Sequence, residues 1–138
     1  MINQTSLTIR ANLYHCMIAH LRATLPLEGC GLVACDPAGV IKLYPGTNTE
    51  ASETRYNMDL AEVVAAFDEI ERRDWQLGAI YHSHPHTPAR PSATDLSYAF
   101  YPEALMVIVS FESDPPDVRA FRVDGEICEV PIVILDEG

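Results

Sequence analysis

Residues 76–95 read QLGAIYHSHPHTPARPSATD, an apolar stretch that changes abruptly into a proline-rich one. The first part, residues 76–82, is rich in β-prone side chains and predicts a strand that ends near two histidines. Because residues i and i+2 of a strand point to the same face, His82 and His84 are expected to lie side by side. Two imidazoles placed in this way suit the first two ligands of a catalytic zinc ion.

Three prolines, Pro85, Pro88 and Pro91, separate this strand from the next element. Each proline fixes its own φ and disfavours helix at the residue before it, so the chain must turn and restart. Ser92 follows as a predicted helix N-cap, and Asp95 then falls in the first helical turn. This placement brings an oxygen donor back over the two histidines and predicts Asp95 as the third ligand.

The same residues also allow a plainer interpretation. Ser92 and Asp95 have the spacing of a helix-capping box, in which both side chains only satisfy unpaired N–H groups. A His-x-His pair by itself is consistent with two surface residues at the end of a strand. Neither of these interpretations predicts the other half of the pattern, and a capping serine can also face a metal ion. The combination therefore favours a metal site.

The pattern His82-x-His84-x(7)-Ser92-x-x-Asp95 resembles the JAMM motif of the Jab/MPN metallopeptidases. That family also places a glutamate at the start of a strand rich in small residues, and Glu28 before GCGLV fits this position. Every motif position matches, and the likeness in element order extends over nearly the whole chain. Among the compact prokaryotic members, the chain is similar to the Mec-type peptidases, which release cysteine from a ubiquitin-like sulfur carrier.

The resemblance implies a role for each matched residue. His82, His84 and Asp95 would hold one zinc ion (Zn2+) per chain, which acidifies a water molecule and polarises a carbonyl. Glu28 would be the general base, although without the motif it would read as an ordinary exposed carboxylate. Ser92 would donate a hydrogen bond in the transition state, an interaction worth about 3 kcal/mol in comparable sites.

The implied activity is zinc-dependent hydrolysis of the amide bond after the C-terminal tail of a ubiquitin-like protein, with release of cysteine from a sulfur-carrier protein as the preferred case. Two alternatives stay open: an isopeptidase that removes a ubiquitin-like modifier from lysine, and a non-catalytic MPN scaffold. Scaffold members lose zinc ligands or the glutamate, and none is lost here. A purely structural zinc site is disfavoured because such sites use four protein ligands and three are found.

The chain has 138 residues, 48% of them hydrophobic, so residues 1–138 are expected to form a single Jab/MPN domain. A formal net charge of −11 disfavours nucleic acid and anionic membranes, which leaves a protein or peptide as partner. The same acidity also simply favours solubility. Because the N-terminus lacks a signal-peptide pattern and no apolar run has transmembrane length, we expect a cytoplasmic protein. We expect it to be either a monomer or a homodimer.

Several other residues have an open role. The four cysteines are Cys16, Cys30, Cys35 and Cys128. Without a Cys-x-x-Cys pair they are interpreted as core thiols, although Cys30 lies two residues from Glu28 and is placed to line the site. His86 is interpreted as a loop histidine, and a role in substrate binding stays open for it and for residues 55–57.

Hydrophobic periodicity predicts the remaining elements. Apolar residues at four-residue steps predict a helix over residues 9–25, and the runs at 29–35 and 40–44 flank a turn and predict a hairpin. A second helix is expected from Asp59, with Glu62 as its capping partner. Its predicted apolar face consists of Leu60, Val63, Val64, Phe67 and Ile70.

Three further strands are predicted, at residues 104–111, 118–123 and 127–135, separated by turns rich in aspartate, proline and glycine. Together these elements predict an α/β (α+β) fold with a mixed, largely antiparallel sheet flanked by helices. This prediction agrees with the Jab/MPN (cytidine-deaminase-like) architecture that the resemblance implies.

Overall fold

The computed structural model of the chain describes residues 4–97 and 101–136. The elements follow in the order β1 Leu7–Arg10, α1 Ala11–Thr24, β2 Cys30–Asp36, β3 Gly39–Pro45, α2 Leu60–Arg72, β4 Gln76–His84, α3 Ala93–Ser97, β5 Leu105–Ser110, β6 Asp117–Val123, β7 Ile127–Val130 and β8 Ile132–Leu135. A six-stranded sheet has the order β3-β2-β4-β5-β6-β7. Only the β4–β5 pair in it is parallel. The predicted mixed, largely antiparallel sheet with flanking helices is confirmed.

A separate two-stranded sheet joins the two ends of the described chain, where β1 pairs in parallel with β8. The sequence-based prediction was wrong here, because it placed residues 9–10 in the first helix and residues 127–135 in one strand. Pro131 has no amide hydrogen to donate to the ladder, so the strand leaves the main sheet at this residue. Its carbonyl instead accepts a hydrogen bond from the Leu7 N–H (2.9 Å).

The two long helices pack on the main sheet, and each buries only part of its predicted apolar face. Helix α1 buries Met17 and Leu21, as its four-residue repeat predicts. Helix α2 buries Ala66 and Ile70. The predicted face of α2 was only partly right, because Leu60 at its first turn is 74% exposed. Within the described residues, no helix is long and apolar enough to cross a membrane.

Strands β2 and β4 lie at the centre of the fold and approach each other closely at Gly31. A side chain at Gly31 would collide with the ring of Tyr81, which is fully buried. The Tyr81 hydroxyl lies 2.9 Å from His20 Nδ1, which links helix α1 to the sheet. This close packing fixes the start of β2 beside the end of β4, where the histidines lie.

Candidate metal centre

His82 and His84 lie at the carboxyl end of the central strand β4, and both are buried. As the period of a strand predicts, the two rings share one face of the sheet, with their Nε2 atoms 3.2 Å apart. Strands on both sides hold this end of β4, because His82 pairs with Cys30 of β2 and with Ile108 of β5. The two imidazoles are therefore fixed by the sheet rather than by a loop.

Helix α3 brings Asp95 back over the histidines. Its carboxylate oxygens lie 3.2 Å from His82 Nε2 and 3.0 Å from His84 Nε2. The capping box is also formed: the Asp95 N–H donates to Ser92 Oγ (3.0 Å), and the Ser92 N–H donates to Asp95 Oδ2 (2.8 Å). Both interpretations of the pair thus hold together, since the box orients the carboxylate that faces the histidines.

The three side chains fit a metal ion. Within the part of the chain that the structure describes, His82, His84 and Asp95 are the group whose ligand atoms come together in this way, all within 4.8 Å of one another. Donors bonded tetrahedrally to zinc at about 2.1 Å are separated by about 3.4 Å. The observed separations of 3.0–3.2 Å are close to that value. The end of β4 and the start of α3 therefore form a candidate metal site.

The charge states of Asp95 and His82 also suit a cation. Burial alone would raise the pKa of Asp95, but hydrogen bonds to His82 and His84 outweigh burial and hold that pKa well below its ordinary value. Burial lowers the pKa of His82, so this imidazole is neutral at pH 7. For His84, burial is outweighed by the contact with Asp95, which raises its pKa. A carboxylate and a neutral imidazole are the forms that bind metals, so a protonated His84 would release its proton when a metal binds.

Glu28 is placed beside the histidines by a clamp between β2 and β4. The Gly29 N–H donates to Ser83 Oγ (2.8 Å), and the Ser83 N–H donates to the Gly29 carbonyl (3.1 Å). The backbone N–H of Glu28 donates to the Ser52 carbonyl (2.8 Å). Ser83, the residue between the two histidines, therefore fixes the backbone next to Glu28.

The Glu28 side chain is buried, and its Oε1 has no hydrogen-bond partner among the described residues. Burial raises the pKa of Glu28 to about 7, and the nearby charge of His84 opposes this rise. An ordinary exposed carboxylate, the alternative interpretation of this residue, would be solvated and acidic. A buried carboxyl that titrates near neutral pH is instead suited to proton transfer.

Sequence patterns did not single out two residues that support the site. Ser83 was hidden between the histidines, although the two-residue period of a strand does place it on the opposite face. Asn48 gave no signal at all. Its amide group donates to the carbonyls of Glu28 (2.9 Å) and Arg55 (3.0 Å), and its Oδ1 accepts from the Asn57 N–H (3.0 Å). These contacts join segments far apart in sequence.

Within the described residues, the cysteines and His86 contribute no ligand atom to the candidate metal site. Burial raises the pKa of Cys30 to about 12 and that of Cys35 to about 11, so both remain thiols. The interpretation as core thiols is right for these two and wrong for Cys16 and Cys128, which are exposed. His86 is an exposed loop histidine, with Nε2 2.7 Å from Glu53 Oε1.

The fold carries a candidate metal centre with a buried carboxyl beside it, and comparison with known proteins places the chain in a family. The chain matches the family described as prokaryotic homologs of the JAB domain over residues 10–124. It is 39% identical over 137 residues to a CysO-cysteine peptidase of Mycobacterium tuberculosis, with 95% of this chain and 92% of that protein covered. A probable TtuB-protein conjugate cleaving protease of Thermus thermophilus is 38% identical over 119 residues, with coverage of 85% and 75%.

Solved structures agree with this assignment. The solution structure of a Desulfitobacterium hafniense protein has a TM-score of 0.84 at 32% identity and covers 95% of this chain and 94% of that one. A JAB1/MPN domain protein from Archaeoglobus fulgidus shares the fold with a TM-score of 0.61 at 19% identity, covering 94% and 99%. The chain therefore belongs to the compact prokaryotic JAB (JAMM/MPN) family and is a peptidase or isopeptidase of the JAMM type.

Proposed function

We propose that the chain is a zinc-dependent peptidase that cleaves the amide bond after the C-terminal tail of a ubiquitin-like or sulfur-carrier protein. The observation that carries this proposal is the convergence of His82, His84 and Asp95 on one point, with the buried Glu28 carboxyl beside them. The activities named for the Mycobacterium and Thermus relatives support the substrate class.

A zinc ion held by His82, His84 and Asp95 would supply Lewis acidity, which acidifies water and polarises the scissile carbonyl. Glu28 takes the proton of the attacking water as general base and delivers it to the leaving nitrogen, so that a carboxylic acid and an amine result. In the metal-free protein burial raises the pKa of Glu28 to about 7, and a zinc cation beside it would favour the carboxylate form that accepts the proton.

Ser92 is proposed to act on the other partner in the reaction, the scissile carbonyl. Its Oγ accepts a hydrogen bond from the Asp95 N–H, which leaves the hydroxyl hydrogen free to donate. The residue is exposed at the start of α3, so substrate can reach it. A hydrogen bond from Ser92 to the carbonyl oxygen would strengthen as negative charge develops there.

The preferred leaving group is cysteine with a free carboxylate, and two arginines support this choice over a lysine side chain. Arg55 and Arg90 are exposed in the two segments that flank the site, next to Tyr56 and two residues before Ser92. Neither guanidinium has an ion pair, side-chain hydrogen bond or ring contact within residues 4–97 and 101–136. In a chain of net charge −11, unpaired cations at this location favour a substrate that carries an extra carboxylate.

The test compares two conjugates of the same ubiquitin-like carrier, one with a C-terminal cysteine and one joined to a lysine ε-amine. Each conjugate is incubated separately with zinc-loaded wild type, with Glu28→Gln and with chelator-treated enzyme. The products are identified by mass spectrometry. We expect loss of cysteine from the first conjugate with wild type alone. Cleavage of the lysine conjugate alone would favour the isopeptidase, and survival of both conjugates would contradict the proposed substrate class.

A further inference from the structure

The two histidines of the metal site are held in different ways. His84 Nδ1 lies 2.7 Å from the Pro88 carbonyl, and because a carbonyl oxygen only accepts, Nδ1 carries the hydrogen. This bond fixes the ring plane of His84 and leaves its Nε2 to face Asp95. His82 lacks such a bond, since its buried Nδ1 has no hydrogen-bond partner among the described residues.

A metal-ligating histidine is usually oriented by a hydrogen-bond acceptor in its ring plane, and His82 instead has the ring of Tyr56 against its face. The two ring centroids are 4.8 Å apart, and the planes are inclined by 27°, which is a stacked arrangement. A stacked neighbour restrains rotation of the imidazole about its long axis, much as the Pro88 carbonyl restrains His84. Among residues 4–97 and 101–136, His84 has no stacked neighbour, since its ring contact with His82 is tilted by 60°.

The segment that carries Tyr56 is itself fixed by Asn48. The Asn48 side chain bonds the Arg55 carbonyl (3.0 Å) and the Asn57 N–H (3.0 Å), the residues on either side of Tyr56. The same side chain donates to the Glu28 carbonyl (2.9 Å). Asn48 therefore couples the position of the Tyr56 ring to the backbone of Glu28.

We infer that Tyr56 is a positioning residue for the metal site: by stacking on His82 it fixes the ring plane of that ligand, and Asn48 holds it in place. This inference rests on the proposed zinc site. It assigns the function to the aromatic ring and not to the hydroxyl, so Tyr56→Phe preserves it and Tyr56→Leu removes it. Loss of a partner that orients a metal ligand typically weakens metal binding by about 10–100-fold.

Zinc affinity is measured by competition with a chromophoric chelator, and the visible spectrum of the cobalt-substituted protein reports ligand geometry. We expect Tyr56→Leu to bind zinc about 10–100-fold more weakly, with an altered cobalt spectrum, and Tyr56→Phe to match wild type. Tyr14→Leu is the matched control, because Tyr14 is a partly buried tyrosine that packs on the core through α1. It should leave both readouts unchanged.

If Tyr56→Leu does not fold, Asn48→Ala and Tyr56→Met take its place in the test. Both variants should bind zinc more weakly than wild type. Unchanged affinity and spectrum in the folded variants that remove the ring would overturn the inference while leaving the proposed zinc site intact. Equal losses in Tyr56→Phe and Tyr56→Leu would also overturn it, since the hydroxyl would then be responsible. Failure of wild type to bind zinc would contradict the proposed function as well.

Discussion

Glu28 is a carboxyl group that the fold isolates from solvent and leaves without a hydrogen-bond partner at Oε1 among the described residues. Such a group costs stability when it ionises, because burial disfavours the charged form. The same burial gives the site a carboxyl group whose pKa in the metal-free protein lies near 7.

Replacement of Glu28 by glutamine should lower kcat by about 10²–10⁴-fold, the range typical of lost general acid–base catalysis. Zinc content should be unchanged, because Glu28 is not among the three proposed ligands. Steady-state kinetics and metal analysis of the same preparation check both points. Glu50→Gln is the matched control, an exposed carboxyl in the segment that contacts the Glu28 backbone. A Glu28→Gln enzyme with the turnover of wild type would remove Glu28 from the mechanism.

Stability of the metal-free protein should depend on pH through Glu28. Its pKa rises from 4.5 to about 7 on folding, so the folded state holds this proton more tightly than the unfolded chain does. Ionisation therefore costs stability progressively as the pH rises from about 4.5 to about 7. At pH 8 Glu28→Gln should be more stable than wild type by about 3 kcal/mol, and at pH 4 the difference should nearly vanish. Urea denaturation with chelator present measures this, and equal stabilities at pH 8 would contradict it.

At the scale of elements, strand β4 shows why part of the site was predictable. The period of two in a strand places His82 and His84 on one face, and the local spacing of Ser92 and Asp95 predicts the start of a helix. Both features depend on neighbours in sequence. The support from Asn48 and Tyr56 depends on contacts between distant segments, which no local pattern encodes.

The same alternation gives Ser83 its role on the opposite face, where it clamps Gly29. Replacement of Ser83 by alanine leaves the buried Gly29 N–H unsatisfied and should cost about 1–3 kcal/mol of stability. It should also lower kcat, because the backbone beside Glu28 is released. Ser97→Ala, at an exposed hydroxyl in α3, is the control. Denaturation and kinetics decide the matter, and a Ser83→Ala enzyme as stable and active as wild type would refute the clamp.

At the scale of the whole molecule, the pairing of β1 with β8 could not be read from the sequence. Both strands have only four residues, too few for periodicity to distinguish a strand from the end of a helix. Their parallel pairing joins residues more than a hundred positions apart. The main sheet was predictable because its longer strands are bounded by clear turn signals, and five of them begin and end within two residues of the predicted bounds.

The charge distribution of the whole chain leads to a prediction about substrate choice. Because Arg55 and Arg90 are proposed to contact the carboxylate of the leaving cysteine, neutral substitutions such as Arg55→Gln and Arg90→Gln should raise KM about three- to tenfold. The effect should disappear with a substrate whose terminal cysteine is an amide. Arg10→Gln, at an exposed arginine in β1, should leave KM unchanged for both the acid and the amide substrate. Equal effects on the acid and the amide would exclude this carboxylate contact.

His82, His84 and Asp95 are proposed to hold a zinc ion beside Glu28. Anomalous diffraction from zinc-loaded crystals, collected on both sides of the zinc absorption edge, would locate this ion. We predict one strong peak per chain, within bonding distance of the Nε2 atoms of both histidines and the Asp95 carboxylate, and its loss in His82→Ala. A crystal of active enzyme with no peak at this position, or with its zinc bound elsewhere, would contradict the proposed zinc site.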